Sequence, residues 1–457
     1  MVRFSEATRW NPGSFRSAEW GWPAEVIRPF RDAIVPSVVP VRTADYPDGH
    51  PPLVTIRFDG SMERRDADPA DIKGRLFLAR AGDLVYSKID VRNGAIGIVP
   101  PTLPVVAVTA EYPVHDVRED VADVSYVRLL VRCSGLRREI QSRVSGASGR
   151  KRIMPADLLD MQAPFPSLAE QRAIVGYAEA AEAASRLAQA DAAKRRRKAD
   201  AAFLAALGLA LPEEHERTKV QTRRWSALER WGVAYNQRTA GAGVGADESR
   251  FPIVELGSVV ADLENGWSPK CFPRPAEPDE WGVLKLGAVS FGTYNDAENK
   301  ALPPNLAPVP RLEVKAGDVL ISRANIPRLV GACTLVASTR PRLMLCDKIF
   351  RVVPMSPEPV DPAFLAEVLK IPMVRLQIEA SCTGTSPTMQ NITKPSLLRL
   401  RFPLPPLELQ RTFVAALTEA RVAAEAVLGE STSRLATALA EVDAMILGTR
   451  PIPSIQE

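Results

Sequence analysis

The segment PLPPLELQR at residues 403–411 repeats the segment PFPSLAEQR at residues 164–172. A second pair lies upstream of these, because AGDVLISR at residues 316–323 repeats AGDLVYSK at residues 81–88. A shorter Arg-Trp match near the start of each copy has an offset of 221 residues, and the two longer matches have offsets of 235 and 239. Three collinear matches with a steadily growing offset indicate that the chain contains two copies of one structural unit.

Each copy opens with short apolar runs and many prolines and closes with an alanine-rich stretch. Runs such as LVY at residues 84–86 and VLI at residues 319–321 follow Ala-Gly-Asp, which predicts strands entered from a turn. Residues 361–378 carry apolar side chains at helical spacing instead. The opening region of each copy is therefore predicted to be a mixed α/β domain.

The alanine-rich stretches predict two long helices. Small and apolar residues recur in them at alternating spacings of four and three, which is typical of a coiled-coil seam. The predicted seam positions, which would also dock a partner, are Ile174, Ala178, Ala181, Ser185, Phe413, Leu417, Leu435, Leu439 and Val442. An ordinary helix packed on its own α/β domain is the alternative. We predict an α+β fold in which two mixed α/β domains are joined by two long helices forming an antiparallel coiled coil, with a pseudo-twofold internal repeat.

The turn-forming residues also predict where the domains begin and end. Gly208 and Pro212 terminate the first long helix, and the glycine-rich residues 239–246 predict a flexible loop. The predicted boundaries are 1–166 for the first α/β domain, 167–208 for the first long helix, 209–250 for a linker, 251–405 for the second α/β domain, 406–448 for the second long helix and 449–457 for a tail.

The composition excludes several classes of protein. Hydrophobic residues make up 46% and charged residues 25% of the 457 residues, the balance of a folded rather than a disordered chain. No apolar run approaches the roughly 18 residues of a membrane span, and the first residues lack the apolar core of a signal peptide. Five scattered cysteines and three histidines disfavour a disulfide framework or a metal site, so we expect a cytoplasmic location.

Sequence motifs of catalysis are missing as well. The chain contains no phosphate-binding P-loop, no nucleophile elbow, no zinc-protease helix motif and no motif for methyl transfer to an amino group. The glycine-rich residues 241–245 follow no predicted strand, which disfavours a dinucleotide or methyl-donor loop. We therefore expect no catalytic residue, no cofactor-binding residue and no metal ligand in this chain.

Positive charge concentrates in one stretch of the first copy. Residues 128–152 carry eight basic residues and one acidic residue, a local charge of +7 in a chain whose total is +4. The small residues 145–149 lie within this stretch, and flexible backbone beside fixed positive charge suits contact with phosphates. A solvated surface is the alternative. The predicted DNA-binding residues of the first copy are Lys88, Arg92, Arg143, Arg150, Lys151 and Arg152.

The second copy places polar side chains in the corresponding loops. Arginine and asparagine are the side chains that make bidentate contacts with base edges, and hydroxyl and amide groups contact bases or phosphates. Turn formation and strand-end packing are the alternative. The predicted DNA-binding residues of this copy are Trp267, Ser268, Lys270, Arg323, Asn325, Thr385, Ser386, Gln390 and Asn391.

Several segments of the second copy closely resemble motifs of the specificity (S) subunits of Type I restriction-modification systems. These are AGDVLISRAN at residues 316–325, GWSPK at residues 266–270, WGVLK at residues 281–285 and PLPPLE at residues 403–408. The order of domain, helix, domain, helix is similar to that family over essentially the whole chain. The first copy departs from the pattern at Phe165 and Ser167, where the second copy has leucine and proline.

The resemblance implies two target-recognition domains, each reading one half of a split sequence in double-stranded DNA. The helices would act as a spacer and would dock two methyltransferase subunits, which motor-nuclease subunits join. Methyl donor, ATP and magnesium would then be bound by those partners. Two alternatives are a stand-alone enzyme that reads and modifies DNA, and a coiled-coil adaptor whose α/β domains bind peptides rather than DNA.

Overall fold

The computed structural model describes residues 19–42, 46, 51–65, 74–143, 152–209, 249–326, 328–382 and 389–453. Contacts divide the chain into two compact units: unit 1 comprises residues 1–189 and 428–457, and unit 2 comprises residues 190–427. Four of the predicted DNA-binding residues lie outside the described residues, namely Arg150, Lys151, Thr385 and Ser386. Most of the predicted linker, including its glycine-rich loop, also lies outside them.

Unit 1 is a mixed α/β structure built on two main sheets. Its strands are β1 (Ile27–Pro29), β2 (Ile34–Ser37), β3 (Val39–Pro40), β4 (Leu53–Ile56), β5 (Met62–Arg65), β6 (Leu76–Arg80), β7 (Leu84–Tyr86), β8 (Ile96–Ile98), β9 (Val105–Thr109), β10 (Val114–Val117) and β11 (Gln162–Pro164). The sheet orders are β2-β10-β7-β8 and β3-β6-β9-β4-β5, and β1 pairs with β11. The helices are α1 (Val124–Leu130), α2 (Ser134–Arg143), α3 (Pro155–Leu159) and the first part of α4 (Leu168–Ala206).

Unit 2 repeats the four-stranded sheet and the terminal strand pair of unit 1, and its other strands form smaller sheets. Its strands are β12 (Ile253–Glu255), β13 (Val260–Asn265), β14 (Gly282–Leu284), β15 (Val289–Ser290), β16 (Thr293–Tyr294), β17 (Asn299–Ala301), β18 (Val319–Ser322), β19 (Ala324–Asn325), β20 (Cys333–Leu335), β21 (Leu343–Met344), β22 (Ile349–Pro354), β23 (Gln390–Asn391) and β24 (Arg401–Pro403). The order β13-β22-β18-β20 corresponds to β2-β10-β7-β8, and the pair β12-β24 corresponds to β1-β11. Its helices are α5 (Pro362–Val368), α6 (Pro372–Ser381), α7 (Lys394–Leu398) and part of α8 (Leu407–Leu447).

The repeated Ala-Gly-Asp sequence forms the same turn in both units. Gly82 has a φ of +97° and Gly317 a φ of +93°, a region that favours glycine. The following aspartate closes each turn, because Asp83 accepts a hydrogen bond from the Arg80 amide at 2.7 Å and Asp318 accepts one from the Lys315 amide at 2.9 Å. These turns lead directly into β7 and β18, as the sequence predicts.

The long helices begin and end at recognisable sequence signals. Ser167 and Glu170 form a capping box at the start of α4, because the Ser167 amide donates to the Glu170 carboxylate at 2.8 Å and the Glu170 amide donates to the Ser167 hydroxyl at 3.3 Å. Gly208 and Gly448 follow the ends of α4 and α8 with φ values of +78° and +76°, the left-handed conformation of a helix C-cap. Among the described residues, no helix is both long and apolar enough to cross a membrane.

The predicted seam positions of unit 1 pack into its main core. Ile174 and Ala178 on α4 and Val442 on α8 are buried together with Phe30 and Tyr126 of the α/β domain. Ser185 is buried and receives a hydrogen bond from Ser431 at 3.3 Å. One helical face of unit 1 therefore contacts both the other long helix and the α/β domain.

Other seam positions are less enclosed. Ala181 and Leu435 are half-buried, and Leu439 is 39% exposed. On the same helix, Ala438 and Val442 are buried. The helical period directs these two side chains to the core and turns the side chain of Leu439 away from it.

In unit 2, Leu417 is buried in the main core and Phe413 packs against it. The Phe413 ring lies 6.2 Å from the ring of Phe251, measured between centroids. The apolar face of α8 therefore contacts the α/β part of unit 2 as well as α4.

Candidate nucleic-acid interface

Three loops of unit 2 meet around Asp347. Ser268, in the loop after β13, donates a short hydrogen bond to the Asp347 carboxylate, and the Asp347 amide donates back to the Ser268 hydroxyl at 3.1 Å. Arg323, directly after β18, donates through Nη1 to the Asp347 carbonyl at 3.4 Å. The Arg323 guanidinium also lies over the ring of Phe350, 5.8 Å from its centroid. Two predicted DNA-binding residues thus both contact Asp347, Ser268 at its carboxylate and Arg323 at its backbone carbonyl.

The Asn-Gly-Trp-Ser sequence explains how Ser268 reaches this position. A side-chain carbon on Gly266 would lie 2.0 Å from the Leu345 carbonyl oxygen, so only glycine permits this approach of the two loops. The Gly266 amide donates to the Cys346 carbonyl at 3.2 Å, and the Trp267 amide donates to the Leu345 carbonyl at 3.0 Å. Trp267 packs against the apolar core around β14 and β21, which makes it an anchor for the loop.

Three other predicted residues lie on the short pair formed by β19 and β23. Asn325 pairs with Gln390 and Ala324 pairs with Asn391, so the segment after Arg323 runs beside the segment after α6. The side-chain oxygen of Asn325 accepts a hydrogen bond from the Ile326 amide at 2.9 Å. The side-chain amide nitrogen takes no part in this bond. Lys270 is exposed and forms no ion pair with any residue that the structure describes.

Unit 1 holds Lys88 in the position that Arg323 occupies in unit 2. Lys88 Nζ donates to the Ala110 carbonyl at 2.7 Å, as Arg323 Nη1 donates to the Asp347 carbonyl. The Lys88 amide donates to the Glu111 carbonyl at 3.1 Å, and the Ile153 amide donates to the Lys88 carbonyl at 3.0 Å. Two equivalent hydrogen bonds are formed by the backbone amide and carbonyl of Arg323. The repeat therefore places a basic residue at the equivalent position of each unit.

The basic stretch of unit 1 is engaged in internal contacts to a greater extent than its sequence indicates. Arg143 pairs with Glu139 at 2.9 Å and also donates to the Asp157 carbonyl at 3.2 Å. Arg132 donates to the carbonyls of Gly94 and Phe58, each at 2.7 Å. These guanidinium groups hold loops of unit 1 together, which the charge count alone does not reveal.

The remaining predicted residues of unit 1 differ in exposure. Arg152 is exposed and lies 3.3 Å from the Glu111 carboxylate. Arg92 buries its Nε atom without a hydrogen-bond partner among the described residues. Arg137 and Arg138 on α2 are exposed and form no ion pair within the described part of the chain. The predicted DNA-binding residues did not include these two arginines, whose guanidinium groups are accessible to solvent.

Two buried glutamines, also missed from the sequence, tie each long helix to its α/β domain. Gln171 accepts a hydrogen bond from the Asp123 amide at 2.8 Å and donates to the carbonyls of Val121 and Pro166 at 2.9 and 2.8 Å. Both Gln171 and its counterpart Gln410 have no exposed surface. The signal was available, because Gln-Arg closes both copies of the Pro-x-Pro segment.

Gln410 repeats this arrangement in unit 2. It accepts a hydrogen bond from the Asp361 amide at 2.8 Å and donates to the carbonyls of Pro405 and Pro359 at 2.8 and 3.2 Å. Each long helix thus begins at a fixed point of the α/β domain that precedes it.

No metal centre accompanies these residues. Among the described residues, no group of three or more histidine, cysteine, aspartate or glutamate side chains is arranged to hold a metal ion. The described cysteines are not paired, and burial raises the pKa of Cys133 and Cys333 to about 12, which keeps both thiols protonated. The arrangement suits binding of phosphates and base edges by loop side chains.

Comparison with known proteins supports the resemblance of the sequence to specificity subunits. The chain is 34% identical over 165 residues to the specificity subunit of the Type I restriction enzyme EcoEI from Escherichia coli. This alignment covers 36% of the chain and 28% of the length of that protein. No protein-family model matches the chain. The resemblance that the motifs indicate is therefore confirmed in sequence over about a third of the chain.

The comparison with solved structures extends to nearly the whole chain. A chain from a structure describing complex assembly and conformational transition of the type I restriction-modification system aligns with a TM-score of 0.53 and 17% identity, over 93% of this chain and 98% of that chain. The HsdS subunit from Thermoanaerobacter tengcongensis aligns with a TM-score of 0.41 and 17% identity, over 93% and 97% of the two chains. The first of these matches shows a shared fold and confirms the predicted α+β class.

Proposed function

We propose that this chain is the DNA-reading subunit of a Type I restriction-modification complex in the cytoplasm. Each α/β domain reads one half of a bipartite site in double-stranded DNA. The chain itself catalyses no reaction, and its partners bind the methyl donor, ATP and magnesium. Two methyltransferase subunits dock on the long helices, and motor-nuclease subunits join the assembly. The 34% identity to the EcoEI specificity subunit supports this assignment.

The observation that carries the proposal is the equivalent placement of Lys88 and Arg323. Both residues follow the Ala-Gly-Asp turn and the strand after it. Their backbone amides and carbonyls form equivalent hydrogen bonds, and their side chains donate to the carbonyl of an equivalent loop residue. Lysine and arginine are the side chains that most often contact guanine in the major groove. One fold that carries two different reading side chains suits a target with two different halves.

The long helices of the proposed complex form an antiparallel coiled coil with pseudo-twofold symmetry. In unit 1, Tyr177 on α4 donates to the carboxylate of Glu441 on α8, and Ser185 contacts Ser431. In unit 2, Arg196 on α4 pairs with Glu425 at 2.6 Å. Residues later in α4 thus contact residues earlier in α8, as expected for antiparallel helices. Two equivalent helical surfaces would offer two equivalent sites to methyltransferase subunits.

The test measures which DNA sequence the assembled complex modifies. We expect the wild-type chain with its methyltransferase subunits to methylate a motif of two defined halves separated by an undefined spacer. Arg323→Ala should relax the requirement in one half only, and Lys88→Ala should relax the other half, because each removes one base contact worth about 1–3 kcal/mol of discrimination. Sequencing of methylated genomic DNA reads both halves in one experiment.

Three outcomes would count against the proposal. Equal weakening on all sequences would make Arg323 and Lys88 phosphate contacts, with binding that falls steeply with salt. Transfer of labelled methyl groups to DNA by the purified chain alone would favour the stand-alone enzyme instead. Absence of any DNA binding by the assembled complex would favour the adaptor.

A further inference from the structure

Asp347 is the residue at which the loops of the candidate interface of unit 2 meet. Its backbone amide donates to the Ser268 hydroxyl at 3.1 Å, and its carboxylate oxygen Oδ1 accepts a hydrogen bond from that hydroxyl. Its carbonyl accepts from Arg323 Nη1 at 3.4 Å, and the Arg323 amide donates to the carbonyl of the next residue, Lys348, at 2.8 Å. Contacts from two other loops therefore fix the position of this carboxylate.

The second carboxylate oxygen of Asp347, Oδ2, is free for a further contact. It accepts no hydrogen bond and forms no ion pair with any residue that the structure describes. It is also open to solvent, since the buried polar atoms without a partner do not include it. The carboxylate is thus held by one oxygen and presents the other at the surface.

The surroundings of Asp347 are basic. Arg323 contacts it, Lys348 follows it in sequence, and Lys270 lies two residues after Ser268. Both lysines are exposed, and within the described part of the chain none of these three cations forms an ion pair. Cations at such a surface favour contact with phosphates, whereas a carboxylate repels them. A carboxylate here therefore contributes to DNA binding only by accepting a hydrogen bond from a base.

The edges of the bases in the major groove respond differently to a group that only accepts hydrogen bonds. Cytosine presents the N4 amino donor and no acceptor, whereas adenine presents the N6 donor beside the N7 acceptor. Guanine and thymine present acceptors. An ionised carboxylate has no donor to offer to any of these acceptors. Cytosine is therefore the base that a carboxylate fits best.

We propose that Asp347 is a specificity-determining residue that selects cytosine, because its Oδ2 accepts a hydrogen bond from the N4 amino group in the major groove. Ser268 is then a positioning residue that holds Oδ1. Arg323 contacts the same residue, so it reads a guanine in the same base pair or in the next one, about 3.4 Å along the strand. This inference rests on the proposed function, because it requires unit 2 to contact DNA.

Unit 1 has no carboxylate at the equivalent position. The carbonyl that accepts a hydrogen bond from Lys88 belongs to Ala110, whose side chain has no hydrogen-bonding group. Asp347 therefore acts in one half of the target only. This is the same half that Arg323→Ala is expected to relax.

The experiment assembles the full chain with its methyltransferase subunits and determines the methylated motif by sequencing. Asp347→Asn replaces an acceptor by a donor, because the asparagine oxygen still accepts from Ser268 and its nitrogen takes the place of Oδ2. Since cytosine alone offers no acceptor in the major groove, we expect the preference at one position to invert. Cytosine, the preferred base in the wild type, should become the least preferred by about tenfold. Asp347→Ala should remove the preference at that position.

Three further variants separate base reading from other effects. Asp279→Asn removes the same charge from an exposed carboxylate beside Arg342, ahead of β21, and should leave the motif unchanged. Ser268→Ala should weaken the preference for cytosine, and Ser268→Thr should restore it, because threonine keeps the hydroxyl that holds Oδ1. In each variant, an unchanged requirement in the other half of the motif shows that the chain still folds and assembles.

Binding provides a second measurement that does not depend on methylation. Four duplexes that differ only in the base at that position compete for the assembled complex, and their relative affinities give the preference directly. We expect the order for wild type and for Asp347→Asn to be reversed at cytosine. The order for Asp279→Asn should match the wild type.

Several results would overturn the inference. One is a wild-type motif in which the half read by unit 2 requires no cytosine on either strand. Another is a motif or an order of affinities that neither Asp347→Asn nor Asp347→Ala changes. Equal relaxation by both variants, without selection against cytosine by Asp347→Asn, would make Asp347 a support for Arg323 instead. A wild-type motif without two halves would contradict the proposed function, and the inference would fall with it.

Discussion

At the scale of single residues, Gln171 and Gln410 link each long helix to the α/β domain before it by hydrogen bonds. Each satisfies one backbone amide and one backbone carbonyl that lie 48 to 51 residues away in sequence, and a second carbonyl five residues before it. A glutamine has the donors and the acceptor needed for all three bonds, and an apolar side chain of similar length has none.

We expect Gln171→Met to lower the free energy of unfolding by about 3 kcal/mol, because it leaves three buried backbone groups unpaired at about 1–3 kcal/mol each, partly relieved by water. Urea denaturation monitored by circular dichroism measures the change. Gln189→Met is the control, because Gln189 is exposed on the same helix and its loss should cost less than about 0.5 kcal/mol. Equal effects of the two substitutions would contradict the role of Gln171.

The buried His115 predicts a dependence of stability on pH. Its pKa in the folded chain, about 4, lies below the ordinary value of 6.5, because burial disfavours the charged ring. Protons therefore bind the unfolded chain preferentially, and the stability present above pH 6.5 falls as the pH is lowered from 6.5 towards 4. The difference of about 2.5 units corresponds to about 3 kcal/mol.

Asp83 acts in the opposite direction and must be separated from His115. Burial and the neighbouring Asp116 raise the pKa of Asp83 to about 6, so its contribution to stability is lost as the pH rises through 6. The informative quantity is therefore the difference in unfolding free energy between wild type and His115→Phe, measured at pH 7.5 and again near pH 4. We expect wild type to lose about 3 kcal/mol relative to the variant on acidification. A constant difference would show that His115 titrates normally.

At the scale of elements, the sequence predicts the long helices well and their contacts less well. The spacing of Ile174, Ala178 and Val442 identifies the buried face, because an α-helix returns every 3.6 residues. The spacing does not say what covers that face, and here both a helix and an α/β domain do. Leu439 is exposed because alternating spacings of three and four are compatible with more than one face of the helix. Packing in the folded chain determines which of these faces is buried.

The pairing of α8 with α4 and α5 in unit 2 depends on Arg421. This arginine lies 2.7 Å from Asp200 on α4 and 2.8 Å from Glu367 on α5. We expect Arg421→Met to destabilise unit 2 by about 1–2 kcal/mol, less than a fully buried pair costs because the side chain is 34% exposed. Hydrogen exchange in α5 and α8 would locate the loss.

Arg434 provides the matched comparison on the same helix. It pairs with Glu430 at 2.5 Å, but its side chain is 78% exposed. Arg434→Met should therefore change the unfolding free energy by less than about 0.5 kcal/mol. A larger loss for Arg434→Met than for Arg421→Met would contradict the assignment of Arg421 as the tie between the helices.

At the scale of the whole molecule, the repeat predicted the two-part organisation but not which basic side chains form ion pairs within their own unit. Arg323, Ser268 and Asn325 meet in one region of unit 2, as their positions after strands indicate. Arg143, by contrast, is engaged by Glu139 and two carbonyls of unit 1. A charge count cannot separate these cases, because the partners of Arg143 become neighbours only through folding.

The end of α8 completes the core of unit 1. Val442, Met445 and Ile446 are buried in that core. Ser134 contacts Asp443 at 2.7 Å, and the Trp22 indole donates to the Ile446 carbonyl at 2.8 Å.

We therefore expect truncation after residue 427 to remove hydrogen-exchange protection from unit 1 while unit 2 keeps most of its own. The main core of unit 2 lies entirely within residues 190–427, so the missing segment contributes nothing to it. Mass spectrometry of exchanged peptides distinguishes the two units. Truncation after residue 453 is the control and should leave both protected; loss in unit 2 alone would contradict this division.

The same division of the helices sets an order of events during synthesis. Ile174 and Ala178 leave the ribosome more than 260 residues before Met445 and Ile446, with which they share a core. At a synthesis rate of roughly 5–20 residues per second, the apolar face of α4 stays uncovered by α8 for on the order of tens of seconds. Unit 2, whose core ends at Leu417, has all of its core residues earlier. The N-terminal unit is thus the last to finish folding, and a nascent chain stalled before residue 442 would present an open apolar surface to chaperones.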